Sequence, residues 1–150
     1  MDLKQVLVQE LTKCNAELPS KKRVLETISE LVSDSDHRVK YPFIFENLQQ
    51  RERLGSTSLG HGVVIPHARI QNLSKPICVL LTLDQAIDFG DSDKPVVDIV
   101  FGLLVPENAS EKHLKILATI AERLSEKSFR DALRNATTDA ELYTAATTQG

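Results

Sequence analysis

Two apolar runs in the middle of the chain restrict the fold more than any other feature. Residues 77–83 read ICVLLTL and residues 96–105 read VVDIVFGLLV, and Asp98 is the one charged residue in either run. Near-continuous apolar segments of this length are typical of strands that are covered on both faces, whereas half-exposed strands alternate polar with apolar residues. The runs therefore predict two central strands of a sheet that lies between layers of other elements.

Helical patterns surround these strands. The spacing of Leu3, Val6, Leu7 and Leu11 predicts a first helix, and Ser20 is a suitable N-cap for a second. A third helix is predicted from about Pro42 to Leu54, followed by a loop over residues 55–60. Ser110 precedes an amphipathic helix in which five apolar residues are predicted to face the core: Leu114, Leu117, Ile120, Ala121 and Leu124. Two short helices are predicted near residues 129–133 and 138–142.

Length and composition set outer limits on the function. The 150 residues fit one domain, residues 1–150, and a net charge of -3 with scattered cations disfavours nucleic-acid binding. No apolar run reaches the roughly 18 residues that a membrane span requires. Cys14 and Cys78 have no paired spacing, which is typical of free thiols in a reducing compartment. We therefore expect a cytoplasmic protein without membrane insertion.

A short motif ending in a histidine predicts the site. Residues 60–67 read GHGVVIPH, so a strand pattern meets Pro66, which lacks an N–H, and leaves His67 at an open strand end. A partly exposed imidazole with an ordinary pKa near 6.5 is mostly neutral at neutral pH and keeps one nitrogen lone pair for nucleophilic attack. Arg51 and His113 are candidates to stabilise an anion on that nitrogen, and backbone amides of Gly60, His61 and Gly62 are candidates for an anion nest.

Each of these residues also has a structural interpretation. A lone histidine is more often a packing or surface residue than a chemical one, and His113 alone would be a solvated residue in a first helical turn. Arg51 would be part of a polar helix face, and His61 would only cap its loop. The histidines His37, His61, His67 and His113 match no metal-ligand spacing, so neither a metal nor another cofactor is expected.

The motif belongs to a longer resemblance. The run TSLGHGVVIPH resembles the active-site signature of the mannitol/fructose-type enzyme IIA domains of the bacterial phosphotransferase system. The resemblance covers roughly residues 5–146 and includes these further matching segments: RERLGST at 51–57, IDFG at 87–90, LVP at 104–106 and EKHLKIL at 111–117. The RERLGST segment and the tail at 124–143 are most similar to the nitrogen-related regulatory branch.

The resemblance implies an α/β fold with a central mixed sheet of about five strands flanked by helices on both faces. It also implies that His67 receives a phosphoryl group on Nε2 from a histidine phosphocarrier protein, with His113 as second active-site histidine and Arg51 as the neutralising cation. Thr57 matches a signature position whose hydroxyl helps to orient the site. The departures are Val64, where the signature more often has Ala, and Ala68, where it has Gly.

Two functions remain open at this point. In one, phosphorylation of His67 is a regulatory switch in nitrogen, carbon or potassium control, and the partners are regulatory target proteins. In the other, the chain is a sugar-specific enzyme IIA that passes the phosphoryl group to an enzyme IIB for fructose or mannitol-type uptake. The similarity to the nitrogen-related branch favours the switch.

Overall fold

The computed structural model describes residues 2–36, 38–90 and 96–148, so His37 lies outside the described residues. A short 3-10 helix, Leu3–Gln5, precedes the regular elements. The strands are β1 (Leu7–Ala16), β2 (Ser58–Gly60), β3 (Val63–Val64), β4 (His67–Ile70), β5 (Ile77–Ile87) and β6 (Val97–Pro106). The helices are α1 (Lys21–Ser35), α2 (Tyr41–Leu54), α3 (Glu111–Leu124), α4 (Lys127–Asn135) and α5 (Asp139–Thr147).

The six strands form one mixed sheet in which the two predicted central strands are neighbours. The order is β1-β5-β6-β3-β2, and β4 pairs with β6 beyond the end of β3. β5 and β6 are antiparallel, whereas β1 is parallel to β5, and β3 and β4 are both parallel to β6. The predicted α/β class with a mixed sheet is confirmed, and the sheet has six strands rather than about five because β2, β3 and β4 are separate short segments.

Each face of the sheet carries its own apolar core, as near-continuous apolar strands require. On one face, α1 and α2 bury residues such as Ile28 and Leu48 against the sheet. On the other face, α3, α4 and α5 contribute Ile120, Leu133 and Leu142. The prediction of helices on both faces is therefore confirmed. None of the helices in residues 2–36, 38–90 and 96–148 combines the length and apolarity needed to cross a membrane.

The predicted first helix is wrong, because Leu7 and Leu11 lie on strand β1. Leu7 is opposite Cys78 and Thr12 is opposite Leu80, so five steps along β1 correspond to two steps along β5. The extra residues of β1 bulge away from the sheet and are exposed, which leaves Leu7 and Leu11 buried at a spacing of four. A bulged strand thus reproduces the apolar spacing of a helix.

Other helix predictions are confirmed with small differences. The Ser20 side chain caps α1 by accepting a hydrogen bond from the Arg23 N–H. The segment predicted as a loop after α2 includes the short strand β2 at its end. In α3, Ile120 and Leu124 are buried as predicted, but Leu114 is 42% exposed and does not belong to the core. That departure matters for the site, because Leu114 borders the groove described below.

Candidate functional site

A groove of about 330 Å³ lies between α2, β4 and α3 and contains His67. Its walls are mostly apolar, with Leu54 from α2, Leu103 and Val105 from β6, and Leu114 and Leu117 from α3. Three cationic or titratable side chains also line it: Arg51, His67 and Arg69. Arg69, which the sequence analysis did not single out, lies two residues after His67 and donates a hydrogen bond from Nη1 to the Glu107 carbonyl at 3.1 Å.

The backbone around Pro66 delivers His67 into this groove. β3 ends at Val64, and the chain resumes pairing with β6 at His67, which lies opposite Leu103. Pro66 has no N–H to contribute to the ladder, but its carbonyl accepts a hydrogen bond from the Leu103 N–H at 2.9 Å. His67 is therefore the first residue of a new strand rather than a residue beyond the last one. Its side chain is half-buried, while the following Ala68 is buried in the core.

The hydrogen bonds of the His67 ring determine which nitrogen has the lone pair. Nδ1 lies 2.7 Å from the Ile65 carbonyl oxygen, and Nε2 lies 3.3 Å from Arg51 Nε. A carbonyl can only accept, so Nδ1 carries the proton; a guanidinium can only donate, so Nε2 accepts. This tautomer follows from the hydrogen-bond partners. In this tautomer the lone pair is on Nε2.

Arg51 occupies the last turn of α2 and brings an uncompensated positive charge to the ring. Besides the bond to His67, its Nη1 donates to the Gly55 carbonyl at 3.1 Å. Neither partner is a carboxylate, and within the described residues the guanidinium has no ion pair. The predicted proximity of Arg51 and His67 is thus confirmed. An unpaired guanidinium beside a nitrogen lone pair is suited to bind an anion that arrives on that nitrogen.

His113 lies in the first turn of α3, next to the groove residue Leu114. Its side chain is half-buried, and its Nδ1 is buried without a hydrogen-bond partner in the part of the chain that the structure describes. Among the hydrogen bonds of the described residues, none joins His113 to His67 or Arg51. The structure therefore places His113 on a helix that borders the groove, whereas it brings Arg51 and His67 into direct contact.

The Thr57 hydroxyl does not point to an anion site. It donates to the carboxylate of Glu52, at 2.8 Å from Oε1 and 3.0 Å from Oε2, and Thr57 is only 7% exposed. Because a carboxylate repels a phosphoryl group, a hydroxyl engaged by Glu52 is poorly placed to contact phosphate directly, and the expected role of Thr57 in orienting the site stays a prediction. Glu52 itself was not predicted to matter. Its position four residues after Leu48 and eight after Ile44, both buried on α2, was the available signal that it points inward.

The turn at residues 60–62 is also far from His67. The Gly62 carbonyl accepts from the N–H groups of Asp98 and Ile99, near the start of β6, whereas His67 pairs with Leu103. Asp98 and Leu103 are five residues apart on one strand, which at about 3.3 Å a residue amounts to roughly 16 Å. The structure therefore does not bring Gly60, His61 and Gly62, the residues predicted as an anion nest, to His67.

This turn has a structural role instead. Gly60, His61 and Gly62 have φ values of 84°, 57° and 81°, and the His61 side chain is exposed. The His61 carbonyl accepts a hydrogen bond from Arg134 Nη2, and Arg134 also pairs with Asp98 at 2.9 Å. The arrangement ties the β2–β3 turn to α4. No group of three or more metal-ligating side chains occurs among residues 2–36, 38–90 and 96–148.

Comparisons with known proteins agree with this arrangement. The family model described as phosphoenolpyruvate-dependent sugar phosphotransferase system, EIIA 2, matches residues 5–147. A nitrogen regulatory protein from Pseudomonas aeruginosa is 45% identical over 141 residues, which is 94% of this chain and 92% of that protein. The crystal structure of nitrogen regulatory protein IIA-Ntr from Neisseria meningitidis superposes with a TM-score of 0.87 at 33% identity, covering 97% of this chain and 99% of that one.

A more distant structure shares the fold alone. Enzyme IIAMTL from Escherichia coli, solved in complex with phosphorylated enzyme IIBMTL, has a TM-score of 0.71 at 17% identity and covers 88% of this chain and 90% of that one. The family match spans nearly the whole chain, and the relatives with higher identity are nitrogen regulatory proteins. This chain belongs to the EIIA 2 family of the phosphoenolpyruvate-dependent sugar phosphotransferase system and is most like its nitrogen-related members.

Proposed function

We propose that this phosphotransferase-system domain accepts a phosphoryl group on Nε2 of His67 from a histidine phosphocarrier protein and acts as a regulatory switch. The observation that carries the proposal is the pair of hydrogen bonds on the His67 ring. The Ile65 carbonyl accepts a hydrogen bond from protonated Nδ1, and Arg51 Nε donates one to the lone pair of Nε2. The nucleophile is therefore already in the required tautomer, in a groove open to a partner.

The transfer needs positioning and charge rather than a metal. The bond between phosphorus and the donor's histidine nitrogen breaks, a bond between phosphorus and His67 Nε2 forms, and the donor nitrogen recovers its lone pair. Once Nε2 is bonded to phosphorus, it can no longer accept from Arg51. The guanidinium then donates to phosphoryl oxygens, and each charge-assisted hydrogen bond contributes about 1.5–3 kcal/mol. The proton stays on Nδ1, which donates to the Ile65 carbonyl throughout.

His113 is proposed to assist from α3. Its Nδ1 is a buried polar atom that finds no partner among residues 2–36, 38–90 and 96–148, and such atoms are uncommon in native structures unless another state supplies the partner. A phosphoryl group on His67 is an acceptor for an N–H of this ring. In this proposal, His113 Nδ1 has no partner in the described residues because the site is not yet phosphorylated, and the phosphoryl group supplies the acceptor.

The switch follows from the charge that arrives in an apolar groove. A phosphoryl ester carries about -1.5 to -2 charge at neutral pH, and the phosphohistidine group is comparable. The rim includes Leu54, which is 84% exposed, and Leu114. A partner that packs on these apolar side chains in the unmodified state meets a dianion after transfer. The 45% identical relative that is named a nitrogen regulatory protein supports regulatory targets as the partners.

The second candidate is transfer to a sugar-specific enzyme IIB. The fold neighbour solved in complex with phosphorylated enzyme IIBMTL favours this candidate, because the same architecture there faces a IIB domain. Mixing the phosphorylated chain with a purified enzyme IIB of the fructose or mannitol type distinguishes the two functions. Stoichiometric loss of phosphate to IIB would support the carrier, whereas retention supports the switch.

His67→Ala tests the phosphoryl acceptor. We expect a phosphorylated histidine phosphocarrier protein to label the wild-type chain and not this variant, which should fold because the half-buried ring contributes little packing. His61→Asn is the matched control, since His61 is exposed and asparagine tolerates its positive φ. Labelling of the His67→Ala chain would refute the acceptor assignment.

The regulatory part of the proposal has a separate test. Proteins retained from the source lysate by His67→Ala are compared with those retained by the charge-mimicking His67→Asp. The switch predicts different partner sets, because only one variant carries negative charge in the groove. Equal sets would contradict it.

A further inference from the structure

A buried carboxylate lies directly behind the proposed phosphorylation site. Glu52 is the residue after Arg51 on α2, and its side chain is only 3% exposed. Its two oxygens accept from the Thr57 hydroxyl, and among the described residues its ion pair is with Lys21, with Nζ 4.0 Å from Oε1. Within residues 2–36, 38–90 and 96–148, the carboxylate is therefore held by one hydroxyl and by one ammonium at the limit of ion-pair distance.

This environment compensates the negative charge poorly. Lys21 is 32% exposed, and its Nζ also lies 5.3 Å from the centre of the Phe89 ring, so its charge is shared with water and with an aromatic face. Removing a carboxylate from water is costly, and a neutral residue of similar volume often gives equal or greater stability. Fold stability alone is therefore a weak reason for a charged side chain at this position.

The partner of Glu52 is connected to the His67 ring through the backbone. The Thr57 carbonyl accepts from the Ile65 N–H at 3.0 Å. The Ile65 carbonyl in turn accepts from His67 Nδ1 at 2.7 Å. The acceptor that keeps the Nδ1 tautomer thus belongs to a residue that is paired with Thr57, and Thr57 is held by Glu52.

The same loop also orients Arg51. Its Nη1 donates to the Gly55 carbonyl, two residues before Thr57. Arg51 and Glu52 are neighbours on the last turn of α2, and both contact the short loop that follows. Arg51 donates to the Gly55 carbonyl, and Glu52 accepts from the Thr57 hydroxyl. During transfer the bond from Arg51 Nε to His67 Nε2 is lost, whereas the contact between Glu52 and Thr57 does not involve the reacting atoms.

We propose that Glu52 is a positioning residue for phosphoryl transfer: through Thr57 it fixes the loop that orients both Arg51 and the Ile65 carbonyl. The inference rests on the proposed function of His67. The contact between Glu52 and Thr57 restrains the loop even after Arg51 has turned from the imidazole to the phosphoryl group. Glu52 does not contact the reacting atoms, and its effect reaches them through its neighbours.

The test uses Glu52→Gln, with Glu46→Gln on the exposed side of the same helix as matched control. Two readouts are measured: the transfer rate from a phosphorylated phosphocarrier as a function of its concentration, and the ¹⁵N shifts of the His67 ring, which report the tautomer. For Glu52→Gln we expect a drop of about tenfold in the rate at saturating donor, because a misplacement of about 1 Å can cost on the order of a hundredfold. The half-saturating donor concentration should stay within about twofold, since the groove surface is unchanged.

The ring shifts should show a mixture of the two tautomers in Glu52→Gln and a single tautomer in Glu46→Gln. A purely structural role would lower the melting temperature without changing the tautomer. Thr57→Val, which removes the hydroxyl, should reproduce the rate loss, and Thr57→Ser, which keeps it, should restore transfer. These two variants keep the test decisive if Glu52→Gln does not fold.

Wild-type rate and ring shifts in folded Glu52→Gln or Thr57→Val would overturn the inference while leaving the proposed function intact. If the wild-type chain itself is not labelled at His67, the proposed function fails. In that case the ring shifts of the same variants still decide whether Glu52 orients the imidazole, so the two failures are distinguishable.

Discussion

At His67, the ring nitrogen that is tied to the backbone decides which nitrogen is left for chemistry. The Ile65 carbonyl is two residues away in sequence, so this hydrogen bond is local, although Ile65 is itself paired with Thr57. Arg51 comes from a different element and supplies the charge. The pair therefore combines a local hydrogen bond, which selects the tautomer, with a tertiary one, which brings a cation to the lone pair.

Arg51→Ala should impair transfer and leave the fold intact. The guanidinium is proposed to donate to phosphoryl oxygens, and losing charge-assisted bonds of about 1.5–3 kcal/mol each corresponds to a rate loss of roughly tenfold to a hundredfold. The two hydrogen bonds that it makes now are partly or wholly exposed to solvent, so little stability is lost. Single-turnover labelling and a thermal melt measure the two effects.

Arg53→Ala is the control for this variant. Arg53 lies on the same helix turn, is exposed, and contacts only the Gln49 side chain at 3.4 Å in the described part of the chain. The Arg53→Ala variant should be labelled at the wild-type rate. Equal rates for Arg51→Ala and the wild type would remove the proposed charge role of Arg51.

At the residue scale, the sequence predicted the nucleophile candidate and its cation better than their surroundings. Pro66 before His67 is a local signal, and the resemblance of residues 51–57 carries Arg51 with it. The engagement of Thr57 by Glu52 depends on how α2 turns into its loop, which no spacing reveals. The distance of the 60–62 turn from His67 depends on strand register along β6, which is likewise a tertiary property.

At the element scale, β1 shows how a strand can be mistaken for a helix. Apolar spacing shows which residues are buried, and in β1 the bulge between Leu7 and Thr12 leaves Leu7 and Leu11 buried four residues apart, as in a helix. The central strands were predicted correctly because near-continuous apolar runs of this length are typical of strands that are covered on both faces. The elements that bulges and short pairings define were therefore the ones that could not be predicted.

The β2–β3 turn gives an element-scale prediction with a built-in control. Gly60 and Gly62 both have positive φ, at 84° and 81°, so alanine at either position is strained by about 1–2 kcal/mol. A Cβ on Gly60 meets nothing within 4 Å, whereas a Cβ on Gly62 would lie 2.6 Å from Arg134 Nη2 and 2.7 Å from Asp98 Oδ1. Gly62→Ala must displace the contact between the turn and α4, which costs about 1–3 kcal/mol more.

Chemical denaturation of the two variants measures this difference. Gly62→Ala should have the lower free energy of unfolding, and Gly60→Ala should lose only the backbone strain. Both should be labelled by a phosphocarrier at the wild-type rate when folded, because the turn is roughly 16 Å along β6 from His67. Equal stabilities would show that Arg134 does not hold the turn. Slowed labelling would show that the turn takes part in phosphoryl transfer to His67.

At the scale of the whole molecule, the sheet separates two cores, and the site lies where α2 from one side and α3 from the other approach β4. The groove therefore depends on both layers being docked. Cys78 lies in the middle of this arrangement, on β5, paired with Leu7 of β1 and Leu103 of β6. It is fully buried, and burial raises the pKa of its thiol from 9.0 to about 12.

Cys78 should therefore react with a thiol reagent only when the molecule unfolds. The thiolate is the reactive form, and with a pKa near 12 it is a fraction of about 10⁻⁴ at pH 8. Cys14 is half-buried, donates weakly to the Ala136 carbonyl at 3.1 Å, and should react first. We expect one fast thiol and one slow thiol in the native protein, with the slow rate set by global opening of the sheet.

Cys14→Ser is the control, because it should leave only the slow thiol, and denaturant should then make that thiol react at once.

The burial of Cys78 also predicts how the free energy of unfolding depends on pH. Because the native state holds the Cys78 proton more tightly than the unfolded state, its contribution to the free energy of unfolding is complete below about pH 9 and is lost as the pH rises toward about 12. Comparing the wild type with Cys78→Ala over this range isolates the contribution, since the variant lacks the titrating group. Fast reaction of Cys78 in the native chain at pH 8 would mean that β1 and β5 separate without global unfolding, and that the two layers around the groove are not held as one unit.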